Sequence, residues 1–191
     1  MPNSVGGATS IFQVNFEIYR VFPQDSDTIR TPAVPTRVNS PSDIVFDSRS
    51  SATAGQLSFT STVLNPSFTV ANSVGPGGIH PSPNQFTGGN GPITGQEVQL
   101  NVTFTTPLNL AANHYFFIPP VTLTNGGQFY WLSAARPATT PFVPDLQAWT
   151  RDNALDPDWL RIGTDIVGGD PRSTWHSRWT VPLFQNRPVS R

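Results

Sequence analysis

Between residues 96 and 106 the chain alternates without a break. Val98, Leu100, Val102 and Phe104 fall on one side; Glu97, Gln99, Asn101, Thr103 and Thr105 fall on the other. A period of two is the pattern of a strand with one buried and one wet face, which antiparallel sheets provide. The pattern returns in residues 11–22, where Phe12, Val14, Phe16, Ile18 and Phe22 oppose Gln13, Asn15 and Glu17. Shorter runs at 43–47, 56–64, 67–70, 115–118, 121–124 and 128–134 read the same way, and 159–162 reads as extended. In the 128–134 run, Phe129, Trp131 and Ser133 oppose Tyr130 and Leu132, which puts Trp131 in the core.

Turn signals separate these runs. Pro23 to Asp27 turns the chain, Pro32, Pro35 and Pro41 mark an extended loop, and Asn125-Gly126-Gly127 predicts a hairpin turn. Residues 74–95 are dense in Gly and Pro and read as a long loop. Only residues 145–151 suggest helix, one turn or two, before Asp156-Pro157-Asp158 breaks it. The expectation is an all-β chain, an antiparallel β-sandwich or jelly roll with long Gly/Pro-rich loops. It places a single domain over residues 1–170 and an atypical tail over 171–191.

Composition excludes several chemistries. The net charge is −1 and all eleven basic residues are Arg, so no basic field attracts nucleic acid. The lack of Lys removes P-loop and Schiff-base chemistry. The lack of Cys removes disulfides, thiolate nucleophiles and Cys-ligated metals. No apolar run is long enough to span a bilayer as a helix, and residues 1–7 lack the basic and apolar regions of a signal peptide.

His80, His114 and His176 lie far apart, with no Gly-x-Ser-x-Gly elbow to support a hydrolase triad. Glu17 and Glu97 are the two glutamates, both on polar strand faces. Across a cleft they would suit an envelope glycoside hydrolase, but solvated positions are the simpler reading. No catalytic residue is assigned. Carboxylates cluster at Asp25 and Asp27, at Asp152, Asp156 and Asp158, and at Asp165 and Asp170. Calcium takes several such oxygens, and Asp152, Asp156 and Asp158 are the candidate ligands, although turn chemistry explains many of them. Trp149 and Trp159, in a loop-rich stretch, are the candidate stacking surface for a sugar ring, with Arg161 beside them. Asn101-Val102-Thr103 matches a glycosylation sequon in mid-strand.

Five stretches resemble a family of bacterial surface proteins that carry the PEP-CTERM sorting signal. They are VPTRVNSPSD (34–43), NGPITGQEVQLNVTFTTP (90–107), NHYFFIPPV (113–121), FYWLSAARP (129–137) and DLQAWTRDNALDPDWLRIGTDIVGG (145–169). The resemblance implies export by a signal peptide, a β-rich body, and a C-terminal tail with a Pro-Glu-Pro motif processed by an exosortase. It also implies a bacterium that makes exopolysaccharide, and no catalytic residues.

Residues 171–191 depart from that pattern. Trp175, His176, Arg178, Trp179, Arg187 and Arg191 interrupt the strand rhythm. One permitted codon choice for this segment, read two bases on, encodes TFNVAFSLDGSPVPEPSSQP. That reading alternates as a closing strand and contains Pro-Glu-Pro, so the tail is expected to be out of frame and poorly packed. The function expected is a non-enzymatic, exported cell-surface or matrix protein with a structural or adhesive role. A carbohydrate-binding module is the alternative. Polysaccharide, other surface proteins and the exosortase are the expected partners.

Overall fold

A computed structural model describes residues 10–26, 39–75, 86–124, 126–132, 148–152, 158–168 and 179–182. The architecture is all-β. Its centre is β1 (Ile11–Arg20), whose one edge pairs antiparallel with β2 (Asp47–Ser50). Along the other edge lie β6 (Tyr115–Ile118) against residues 17–20 and β7 (Val121–Leu123) against residues 11–14. Pro119 and Pro120, which cannot donate to a ladder, divide that edge into two strands. The carbonyl of Pro120 still accepts the N–H of Asn15 at 2.8 Å.

The alternation at 96–106 belongs to β5 (Ile93–Phe104), which pairs with β3 (Leu57–Val70) in a long two-stranded ribbon. Pro66 does not end β3: register shifts between Val63 and Asn65 and between Asn65 and Phe68 absorb it, and Asn65 Oδ1 accepts the N–H of Ser67. The apolar side of the ribbon packs on one face of β1. Leu57 joins Val14 and Phe16 in a core that Phe59, Leu100, Val102 and Phe104 extend. The outer side shows Ser58, Thr60 and Thr62 opposite Thr103, Asn101 and Gln99, all exposed.

The opposite face of β1 carries a second core. Tyr19, Ile118 and Trp159 are buried together, with Phe116 and Trp149 against them. The cover is a short hairpin of β9 (Trp149–Arg151) and β10 (Trp159–Arg161). Residues 149–151 are therefore strand rather than the helix expected there. The helical element follows as one π-helical turn, Ile162–Val167, closed by Gly168 at φ 87°. Such a left-handed end suits a residue without Cβ. Ile162 and Ile166 pack with Leu160 and Val74 in a third core.

The remaining strands are β4 (Asn72–Ser73), β8 (Tyr130–Leu132) and β11 (Trp179–Pro182). β11 lies between β8, to which it is antiparallel, and β4, to which it is parallel. This is the one departure from antiparallel pairing among the described strands. It brings part of the 171–191 segment into a sheet; the rest of that segment lies outside the described residues. Asn125 of the expected hairpin turn at Asn125-Gly126-Gly127 lies outside the described residues, and the flanking strands pair elsewhere, β7 with β1 and β8 with β11. Phe12 also leaves its expected face and is 65% exposed, since the register shifts between Ile11 and Gln13 and turns it outward.

Tyr19 gives the fold an alkaline limit. Its hydroxyl donates to Glu17 Oε2 at 2.8 Å. Burial, reinforced by the Glu17 charge, holds the phenol above its ordinary value of 10.0. A raised folded value favours the neutral form, so this contribution is intact below pH 10.0 and is lost as pH rises beyond it. Melting temperature should fall above that pH, and Tyr19→Phe should fall less steeply; parallel profiles for the two proteins would refute the assignment.

Candidate binding cleft

The ribbon extends beyond β1, and its distal half forms one wall of a cleft of about 260 Å³. Phe68, Val70 and Ile93 supply the apolar side of that wall, and Gln96 and Glu97 supply polar atoms. Gly95 lies opposite Phe68 in the register, and without a side chain it keeps the wall open there. Ile11, at the start of β1, closes one end.

The facing wall is the segment Phe129 to Leu132. Phe129 and Trp131 meet edge to face, their centroids 5.2 Å apart at 68°. Trp131 Nε1 donates to the carbonyl of Pro119 at 2.9 Å, which fixes the indole with its ring at the cleft. The Tyr130 hydroxyl donates to Gln128 Oε1 at 2.5 Å, and burial raises its phenol above the ordinary value. Rigid rings opposite amide and carboxylate groups can hold a ligand with an apolar face and a hydroxylated edge. The volume is below the roughly 300–1,000 Å³ of ordinary small-molecule pockets, so it takes one ring or a chain end rather than a large cofactor.

The residues expected to bind ligand lie elsewhere. Trp159 is fully buried, its Nε1 donating to the carbonyl of Ser42 at 3.1 Å and its ring edge-on to Tyr19. It offers no face to a sugar, because the β9–β10 hairpin folds that ring down onto β1. Trp149 is half-buried and packs edge-on to Phe116 at 6.1 Å. Arg161 is held by Asp165, with Nε and Nη2 at 3.1 and 2.9 Å from the carboxylate and its backbone N–H at 2.7 Å. Trp131, placed in the core by its alternation, lines the cleft instead.

Of the candidate calcium ligands, Asp152 and Asp158 are described. Asp158 is fully buried and receives Arg151 Nε at 3.1 Å, so a guanidinium occupies the side expected to face a cation. Asp152 is half-buried and its N–H donates to the carbonyl of Asp158 at 2.9 Å. Asp156 lies outside the described residues. Among the described residues, no group of three or more His, Asp or Glu is placed to hold a metal. Glu97 lines the cleft, whereas Glu17 accepts from Tyr19 and is not among the lining residues. No described helix is long and apolar enough to cross a membrane. Comparison with protein-family models, curated proteins and solved structures found no match.

Proposed function

We propose that the chain is a non-enzymatic surface or matrix protein that adheres to polysaccharide through the cleft between the distal ribbon and residues 129–132. The observation that carries this reading is the pairing of the Phe129 and Trp131 rings with Gln96 and Glu97 across one small opening. Sugar rings present C–H faces to aromatics and hydroxyls to amides and carboxylates, so both walls have a partner in one ligand. Export, exosortase processing and an origin in an exopolysaccharide-producing bacterium rest on the PEP-CTERM resemblance and belong to the same proposal.

Affinity electrophoresis through gels containing mixed-linkage glucan or galactomannan tests it. The full chain should be retarded, and Trp131→Ala should weaken binding by about 30-fold, the loss of one aromatic anchor. The Trp149→Ala protein should bind as the parent does. Unretarded parent protein, or equal retardation of Trp131→Ala, would defeat the proposal.

A further inference from the structure

We infer that the Arg20 end of β1 carries a second polysaccharide contact, so that one molecule bridges two glycan chains; this rests on the reading of the cleft given above. The ribbon covers the Val14 and Phe16 part of its face of β1. Beyond Phe16, Ile18 on the same face is 3% exposed, and aromatic rings lie around it. Phe117 is 53% exposed, one side of its ring backed by Phe16 at 4.8 Å and 29°. Phe46 is 40% exposed and lies 6.0 Å from Tyr115. Tyr115 and Phe117 stand two residues apart on β6, opposite Arg20 and Ile18, so their side chains share this face about 7 Å apart.

The polar groups beside the rings fit a neutral sugar. Arg20 makes a two-point ion pair with Asp25 and lies over the Phe46 ring at 4.6 Å. Their charges cancel, while the remaining guanidinium donors and carboxylate lone pairs match a vicinal diol, which both donates and accepts. Exposed rings backed by a core also lose little freedom on binding, which is what a stacking platform needs.

The two contacts lie at opposite ends of one strand. Ile11 lines the cleft and Arg20 lies at the platform. Ten residues of β1 separate them by about 30 Å at 3.3 Å per residue. One pyranose chain end in the cleft and a second chain laid across the platform make the protein a cross-link, and linked contacts multiply retention on a matrix.

The test uses the full chain with mixed-linkage glucan and galactomannan. Light scattering reads cross-linking of the polymers, and calorimetry with a glucan tetrasaccharide, titrated into the parent and Trp131→Ala, reads the cleft as the affinity that Trp131→Ala removes. Phe117→Leu combined with Phe46→Leu keeps apolar packing but removes flat rings. This variant should keep tetrasaccharide affinity within twofold and lose at least tenfold in cross-linking. Arg20→Gln, which leaves every ring in place, should lose cross-linking in the same direction and guards against misfolding of the ring variant. Cross-linking unchanged in both variants overturns the inference and leaves the cleft standing. A parent that dimerises through this face, shown by sedimentation and lost in Phe117→Leu, assigns the platform to a second copy and also overturns it. A parent that binds neither polymer ends both readings.

Discussion

Replacing Trp159 by alanine should remove about 3–5 kcal/mol of stability, the usual cost of emptying a large buried aromatic site. The ring is 0% exposed, stands edge-on to Tyr19 at 5.4 Å, and shares its core with Ile118. Truncation also leaves the Ser42 carbonyl without the indole N–H and takes from Arg151 the ring that lies 5.4 Å from its guanidinium. Residues 40–42 cannot shift easily into the space, because they are tied to the end of β1 through Ser42 N–H to Arg20 O and Phe22 N–H to Ser40 O. Native domains hold only about 5–15 kcal/mol in total, so the variant should be marginal at best. Urea unfolding followed by far-ultraviolet circular dichroism reads the loss without relying on tryptophan emission. Where the variant is kept folded, its polysaccharide affinity should equal that of the parent. A loss below about 1 kcal/mol accompanied by abolished binding would restore Trp159 to a ligand-contacting role.

That contrast shows what period-two reading can and cannot deliver. Alternation in β1 and β5 identifies which side chains share a face, because that is set by the backbone pleat alone. It does not say which face another element will cover. Trp131 and Trp159 both sit in short apolar runs, and their fates are decided by remote partners: β10 folds onto β1, whereas β8 stands opposite the ribbon. The same limit explains Phe12, whose place in the alternation is undone by a one-residue shift in the pairing with β7. It explains the parallel contact of β11 with β4, which joins residues about a hundred positions apart and leaves no local trace. The helical turn at Ile162–Val167 did carry a signal, since Gly168 ends it in the left-handed region and Asp165 caps back to Arg161. Six residues are too few for a 3.6-residue period to show. The platform was written in the sequence only as the strand 115–118; its exposure follows from how far the ribbon reaches along β1.

Asp158→Ala should be the other severe lesion, at about 3 kcal/mol. The carboxylate is wholly enclosed, and Arg151, its partner at 3.1 Å, is only 12% exposed. Removing the acid leaves a guanidinium in a low-dielectric site, with the Asp43 carbonyl at 2.9 Å and the Trp159 ring beside it. Breaking one side of a buried pair costs about 3–5 kcal/mol, and the lower end applies because Arg151 can reach toward water. Asp158→Asn keeps the shape and an acceptor, so it should cost less. Replacing both residues, as in Arg151→Met with Asp158→Leu, removes the stranded charge and should recover much of the loss. Denaturant midpoints for the two single variants and the double give the coupling directly. Calcium then separates the two possible roles of this carboxylate. A metal ligand would make the parent more stable in calcium, by an amount set by ligand excess, and Asp158→Ala would erase that increment. An acid engaged by Arg151 predicts the same loss with calcium or with a chelator present. A calcium-dependent gap between parent and variant would return Asp158 to a metal site and would require Arg151 to swing away from it.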